Sequence, residues 1–518
     1  MQLPVTSSLH IAAPIPALNA SMVILLNLVI GLGHILVAFN TGAYLPMIPH
    51  VAGSLGVNPA YADWTQANFF LAMALAFPTA TWFLNRWGEM RSLLGAFLAF
   101  ALASAICAQT TDYEWFLAAR VAQGYAGGLT IPISLGVILR HYTPQRRNIG
   151  LSLWSIAAIT PFTLGPTIGG WITDTLGWRW LFYLNIPIAI LVALISAILL
   201  VGREAEHRHP PLDWPGLIFL LIALGALESA LNSGEIISWW RSNTIIFLTI
   251  TSIFALILFA FWEWHSTHPL LELRFLRRRN FLIGAIGLFL TALFFQGTMA
   301  IYIVEFQLTM GYSAWMVGLL LLPMAIFSKL SATLTQWFLN HIDARILGMT
   351  ALLGFSAYSF WISSYNRTAS FDELLWPQIL VGMFLGGLFP PLVAIALSGL
   401  RGTAEMRGTA FLNLLRVCGQ AMGIPIMATL WDRRLIFHEH FLTENNPSGK
   451  HFISTLMGHT ILAKQIIYHA ALLTFNEIFY IAAWGFLIVA GLLLLAKRVV
   501  FAEPDVRVRR ALEELAEP

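Results

Sequence analysis

Apolar runs long enough to cross a bilayer, each closed by a short polar break, recur from one end of the chain to the other. The pattern predicts fourteen membrane-spanning helices, at 22–46, 65–85, 92–110, 115–139, 149–171, 181–202, 215–233, 243–262, 281–308, 315–339, 346–364, 375–399, 407–429 and 475–497. A hydrocarbon core about 30 Å thick needs about 20 apolar residues at a rise of about 1.5 Å each. Residues 1–21 contain no Lys or Arg and the first window is long, so it reads as a retained span rather than a cleaved leader. The expected fold class is therefore an all-α integral membrane protein.

A near-repeat organises the windows. Trp82-Phe83-Leu84-Asn85 closes the second and leads into Arg86-Trp87-Gly88-Glu89-Met90-Arg91, while Trp337-Phe338-Leu339-Asn340 closes the tenth and leads into His341-Ile342-Asp343-Ala344-Arg345. If windows two and ten correspond, two six-helix bundles related by an axis along the membrane normal are separated by windows seven and eight. The expected plan is a 1–21 N-terminal segment, a 22–202 bundle, a 203–280 linker with two inserted helices, a 281–497 bundle and a 498–518 tail. The longest predicted non-spanning stretch, 430–474, holds five histidines: His438, His440, His451, His459 and His469. Their irregular spacing completes no metal-ligand pattern.

Composition sharpens this picture. Of 518 residues 58% are hydrophobic and 11% charged, far from the roughly 25% charged residues of soluble domains. Lys and Arg crowd the breaks on one side, as at Arg86, Arg91, Arg140, Arg146 and Arg274 to Arg279, and are sparse on the other. By the positive-inside rule both termini face the cytoplasm and the span count is even. Cys107 and Cys418 fall inside apolar windows, as core thiols do. No nucleotide-binding G-x-x-x-x-G-K-[ST], H-E-x-x-H or G-x-S-x-G string occurs, so the sequence supports neither ATP-driven transport nor a familiar hydrolase. No cofactor, metal or nucleic-acid partner is expected.

Ionisable groups inside spans are costly and mark candidate sites. Arg120 lies inside the fourth window with Gln123 one turn away and Gly124 and Gly128 four apart. It must face protein or a wet cavity, or else snorkel outward. The fifth window carries Pro161 and then Gly165-Pro166-Thr167-Ile168-Gly169-Gly170, a string that permits a kink and close packing. Counting rise per residue puts Asn40, Arg120 and this string within about 12 Å of the outer boundary, at one shared polar site or outer gate. His34, Glu228, Glu305, Lys329 and Arg416 are further candidates. Glu305 and Lys329 differ by roughly 20 Å in predicted depth, which argues against a direct pair.

These strings resemble the fourteen-span drug:proton antiporter family of the major facilitator superfamily, and most closely its EmrB-like exporters. Arg120-x-x-Gln123-Gly124 is similar to the family's helix 4 motif, and Gly165-Pro166-x-x-Gly169-Gly170 to its antiporter motif. Arg86, Gly88 and Arg91 resemble its gating loop; Trp178-Arg179-Trp180 through Asn185-x-Pro187, Arg277 to Phe281, Gln307 before Gly311-Tyr312, and Arg416 are also similar. Three positions depart: Asn40 stands where the family has an acidic residue, and Thr81 and Asn85 where it has Gly and Asp. An amide does not titrate, so the helix 1 carboxylate's part in coupling has to pass to His34, Glu305 or Glu228, or coupling differs.

The resemblance implies alternating access across the inner membrane and export of amphipathic drugs or small metabolites by proton antiport. Arg120, Gln123 and Asn40 would form one polar network, and a periplasmic adaptor and outer-membrane channel would be partners. The alternative is a dedicated exporter of one metabolite, such as a siderophore, with altered ion coupling. An internal Lys329 would suit an anionic cargo.

Overall fold

The computed structural model describes residues 19–142, 150, 163–203, 211–366, 370–444 and 456–499. Among these there is no strand, as expected where lipid leaves every backbone N–H and C=O to be satisfied within its own helix. The helices are α1 (Ala20–Ala43), α2 (Ile48–Leu55), α3 (Pro59–Gln109), α4 (Tyr113–His141), α5 (163–175), α6 (Arg179–Leu200), α7 (Trp214–Ser233) and α8 (Asn243–His265). There follow α9 (Arg279–Leu308), α10 (Ala314–Leu339), α11 (Ala344–Ile362), α12 (Phe371–Leu385), α13 (Pro390–Leu397), α14 (Thr403–Glu444) and α15 (Leu456–Leu493).

The polar breaks start these helices by capping them. Asp112, Asp213, Ser313 and Asp343 each accept a hydrogen bond from a first-turn backbone N–H, and Ser370 forms a reciprocal capping box with Glu373. Such caps satisfy donors that the helix itself leaves unpaired.

Twelve helical stretches among the described residues are long and apolar enough to cross a membrane. One of them, α3, joins two predicted spans. Its 51 residues turn at Gly88, whose φ of 80° and ψ of 176° lie where only glycine sits without strain. The fifth predicted span is described only from residue 163, and Pro161 lies outside the described residues. The same holds for Arg146, Arg147, His451, most of the 1–21 segment and nearly all of the tail.

The helices pack as two groups with a hairpin between them. In the first, α3 packs on α4 and α6, and α1 on α6 and α4; in the second, α9 packs on α14, α10 on α12 and α11 on α15. The inserted helices α7 and α8 pair with each other, and α7 reaches both α3 and α14, which also pack together across the two groups.

The stretch expected as a loop at 430–474 is largely helical. α14 runs for 42 residues and α15 for 38, so α14 is about 63 Å long, twice the thickness of a hydrocarbon core. Arg434 and His438 both meet Glu477 (2.7 and 2.8 Å), and Arg433 meets Glu235 beyond the end of α7 (3.1 Å). The polar faces that hid these extensions from a hydropathy reading are held together by ion pairs.

Candidate functional site

Arg120 is fully buried, seven residues into α4, and does not snorkel. Its Nη1 donates to Asn40 Oδ1 at 2.9 Å and Gln123 Oε1 at 2.7 Å, and Nη2 donates to Gln66 Oε1. Gln123 donates onward to Ser104 Oγ at 2.8 Å, and Gln66 to the Thr41 carbonyl at 3.0 Å. The guanidinium also stacks between Tyr44 and Phe69, 4.1 and 4.2 Å from their ring centroids. Among the described residues no Asp or Glu pairs with it. A buried cation is held here by amide oxygens and aromatic faces, a use to which the planar guanidinium fork is suited and a lysine is not.

The structure thus brings Asn40, Arg120 and Gln123 together and adds Gln66 and Ser104, which the sequence did not single out. Neutral polar residues inside a span carry little cost and leave little signal.

One turn beyond Asn40 the glycine string of α5 meets the end of α1. A methyl group added at Gly165 would come 2.7 Å from the Ala43 nitrogen, and one at Gly169 2.4 Å from the Ala43 carbonyl. The string also touches the second group: a methyl at Gly170 would lie 2.1 Å from the Ala314 carbonyl, and one at Gly318 2.8 Å from the Pro166 carbonyl. Thr167 Oγ1 donates to the Gly318 carbonyl (2.7 Å), Trp315 N to Asp174 Oδ2 (2.9 Å) and Gln307 to the Pro46 carbonyl (3.1 Å). Backbone-to-backbone contact of this kind seals the two groups at what we call the Thr167 end.

At the opposite, Gly88 end, the turn of α3 is anchored by a residue the sequence passed over. Glu89 is 1% exposed and meets Arg140 at 3.0 Å and His141 at 2.7 Å, both at the end of α4. Arg86 and Arg91 stay exposed. In the repeat copy Asp343 bonds Arg345 at 2.7 Å, and Arg345 reaches the Ala496 carbonyl. Partial burial of Asp343 opposes ionisation, but hydrogen bonds from Arg345 and the Val499 N–H hold its carboxyl below the usual range.

The remaining candidates are dispersed. His34 on α1 and Arg416 on α14 lie within electrostatic reach of each other across the two groups. Arg416 contacts Gln420 at 3.4 Å and the Phe389 ring at 5.8 Å. Glu305 sits near the Thr167 end of α9 and Lys329 lies 15 residues into α10, so their helices keep them apart. Glu228 is fully buried on α7. Asp63 on α3, also unforeseen, comes within reach of Asp432 on the long extension of α14. Among the described residues no His, Cys, Asp and Glu cluster is arranged to hold a metal ion.

Residues 30–424, spanning both groups and the sealing glycines, match the family model of the Major Facilitator Superfamily. The chain belongs to that superfamily. Within it the chain is 30% identical to the multidrug export protein EmrB of Haemophilus influenzae, over 95% of this chain and 98% of that one. It is 32% identical to the probable multidrug resistance protein EmrY of Escherichia coli (87% and 90%), and 29% identical to the fatty acid resistance protein FarB of Neisseria gonorrhoeae (93% and 97%). Among solved structures it shares its fold with a bacterial homologue of the human lysosomal transporter Spinster, captured inward-facing, with a TM-score of 0.59 at 13% identity over 92% of this chain and 98% of that one. This superfamily member is therefore a multi-pass inner-membrane transporter of the EmrB-like branch.

Proposed function

We propose that the protein exports amphipathic drugs or small metabolites from the cytoplasm in exchange for protons, by alternating access between its two helix groups. The observation that carries this reading is the pairing of two features. One is a seal at the Thr167 end, made by close-packed glycines and a few hydrogen bonds. The other is a buried cation, Arg120, one turn below it. Contacts of that kind are discrete, so they are made or broken rather than stretched, as a two-state gate requires. The name of the multidrug export protein EmrB supports export and those of EmrY and FarB a role in resistance, and the Lys and Arg distribution supports cytoplasmic termini with the Thr167 end outward.

In this reading the plan is six helices, two inserted and six more, fourteen spans in all. Asn40, Gln66 and Gln123 orient Arg120, whose field sets how readily nearby groups release a proton. His34, Arg416 and Lys329 belong to the path of the cargo. The ion-paired hairpin of α14 and α15 projects past the outer surface, where a periplasmic adaptor leading to an outer-membrane channel would dock.

The test is purified protein in liposomes with a trapped pH dye, challenged with ethidium and with dodecanoate. Wild type is expected to move protons against one of these, and Arg120→Ala to lose that flux. Cargo movement without proton movement would overturn antiport. A second reading, a dedicated exporter of anions, is favoured by Arg416, which pairs with no carboxylate among the described residues. Dodecanoate transport without ethidium transport, lost in Arg416→Ala, would select it.

A further inference from the structure

With Asn40 in place, α1 carries no carboxylate, so a carboxyl that holds a transported proton has to stand on another helix. The carboxyls within the spans differ sharply in their surroundings. Glu305 lies near the end of α9, Glu263 near the end of α8, where it accepts from the Leu271 N–H, and Asp63 is only partly buried.

Glu263 Oε1 and Asp63 Oδ1 are also buried without a hydrogen-bond partner among the described residues, but none of the three side chains is as enclosed as Glu228. It is 0% exposed and stands five residues, about 7 Å, from the Ser233 end of α7. Its only hydrogen bond among the described residues is a long one, 3.4 Å, from Asn232 Nδ2 to Oε1, and Oε2 is buried with no partner. The helix that carries it packs on both α3 and α14, the two helices that meet across the groups.

The groups facing Glu228 can be named element by element. From α14 it is Cys418, within electrostatic reach. Arg416 is two residues away on that helix, turned by about 200° toward His34 and away from α7. From α8 there is Glu263, level with Gly216, about 18 Å along α7 from Glu228. From α3 there are Asp63, level with Asp432 and so about 20 Å from the level of Cys418, and Arg86, Glu89 and Arg91 at the other end. Among the described residues no Lys, Arg or His forms an ion pair with Glu228. An unpaired carboxylate in such a place costs several kcal/mol, whereas the neutral acid costs far less. The packing shown here is therefore compatible with the acid, and the anion becomes tolerable only where α7, α3 and α14 separate enough to admit water.

We propose that Glu228, on the inserted hairpin, is the proton carrier: it holds its proton while α3 and α14 are packed as here and gives it to water when their seam opens. The step breaks one O–H bond and leaves the carboxylate and a hydrated proton. This rests on the antiport reading above and adds to it a role for the two inserted helices, which otherwise serve only as filler between the groups.

The test reads conformation rather than cargo, so that it can fail independently of antiport. Spin labels on Thr110→Cys and Leu308→Cys report the separation of the two groups at the Thr167 end in the full protein in lipid nanodiscs. In the wild type, raising the pH from about 5.5 to about 8.5 should change the ratio of closed to open populations at least about fivefold. Glu228→Gln, which fixes a neutral side chain of the same shape, should abolish that response while retaining the closed population, and Glu228→Asp should restore part of it. A wild type insensitive to pH, or a Glu228→Gln protein that responds like the wild type, would overturn the proposal. Proton flux in liposomes separates the two readings: flux that survives Glu228→Gln sinks the carrier alone, whereas no flux in the wild type sinks antiport.

Discussion

The near-repeat lets one half of the molecule be compared with the other at the level of single side chains. If α3 before Gly88 corresponds to α10, then α1 corresponds to α9, the second part of α3 to α11, and α4 to α12. Arg120 lies seven residues into α4, and Gln378 lies seven residues into α12. Around Arg120 stand Asn40 from α1 and, through Gln123, Ser104 from α3. Around Gln378 stand Tyr302 from α9 and Tyr358 from α11, with Gln378 donating to the Tyr358 hydroxyl at 3.3 Å. The same three helix positions thus build a buried polar cluster twice.

The clusters differ in charge. Arg120 uses both terminal nitrogens on three side-chain acceptors, while Arg120 Nε and Asn40 Nδ2 in the first cluster and Tyr302 Oη and Gln378 Oε1 in the second are buried without a hydrogen-bond partner among the described residues. A duplicated scaffold has kept its polar position in both copies and placed a charge in one. A fixed cation in a medium of low dielectric acts on titratable groups over a longer range than a neutral amide does. We read the first cluster as the electrostatic element of the transporter and the second as its packing counterpart.

Substitutions sharpen this contrast, the largest effect first. Arg120→Ala strands three acceptor oxygens in a closed site and should cost about 3–5 kcal/mol. Thermal unfolding in detergent should show a clear loss of stability together with loss of transport, and unchanged values would mean that the charge is idle. Asn40→Asp supplies the counter-charge that the cluster lacks. With the acceptor already 2.9 Å from Arg120 Nη1, the variant should gain about 1–2 kcal/mol at neutral pH, and destabilisation in the same assay would show that the site rejects an anion. Tyr302→Phe removes a hydroxyl that lies beside Gln378 without a well-formed hydrogen bond and should change stability by less than about 1 kcal/mol with transport intact. A large effect there would mean that the second cluster also participates.

Much of this architecture was legible in the sequence because lipid leaves little choice. Apolar runs must be helices, and a buried arginine must find partners, so most of the windows and the meeting of Asn40, Arg120 and Gln123 were legible from pattern and depth together with the family resemblance. What was hidden obeys weaker constraints. Gln66, Ser104 and Gln378 cost little inside a span and so do not stand out, although their contacts complete the clusters. α14 and α15 are longer than a hydrocarbon core is thick, and along their polar extensions hydropathy stops marking helices and ion pairs such as Arg434 with Glu477 take over. Glu89 sat between two conspicuous arginines, and only the turn at Gly88 shows that it faces inward to Arg140 and His141.

The central claim is that the two groups part at the Thr167 end during each cycle. Bridging Asp174→Cys and Trp315→Cys with a short bis-maleimide ties α5 to the start of α10, where a hydrogen bond of 2.9 Å already joins them. Transport in liposomes is predicted to stop in the bridged protein and to persist in the same variant treated with a monofunctional maleimide. Undiminished transport by the bridged protein would contradict the account.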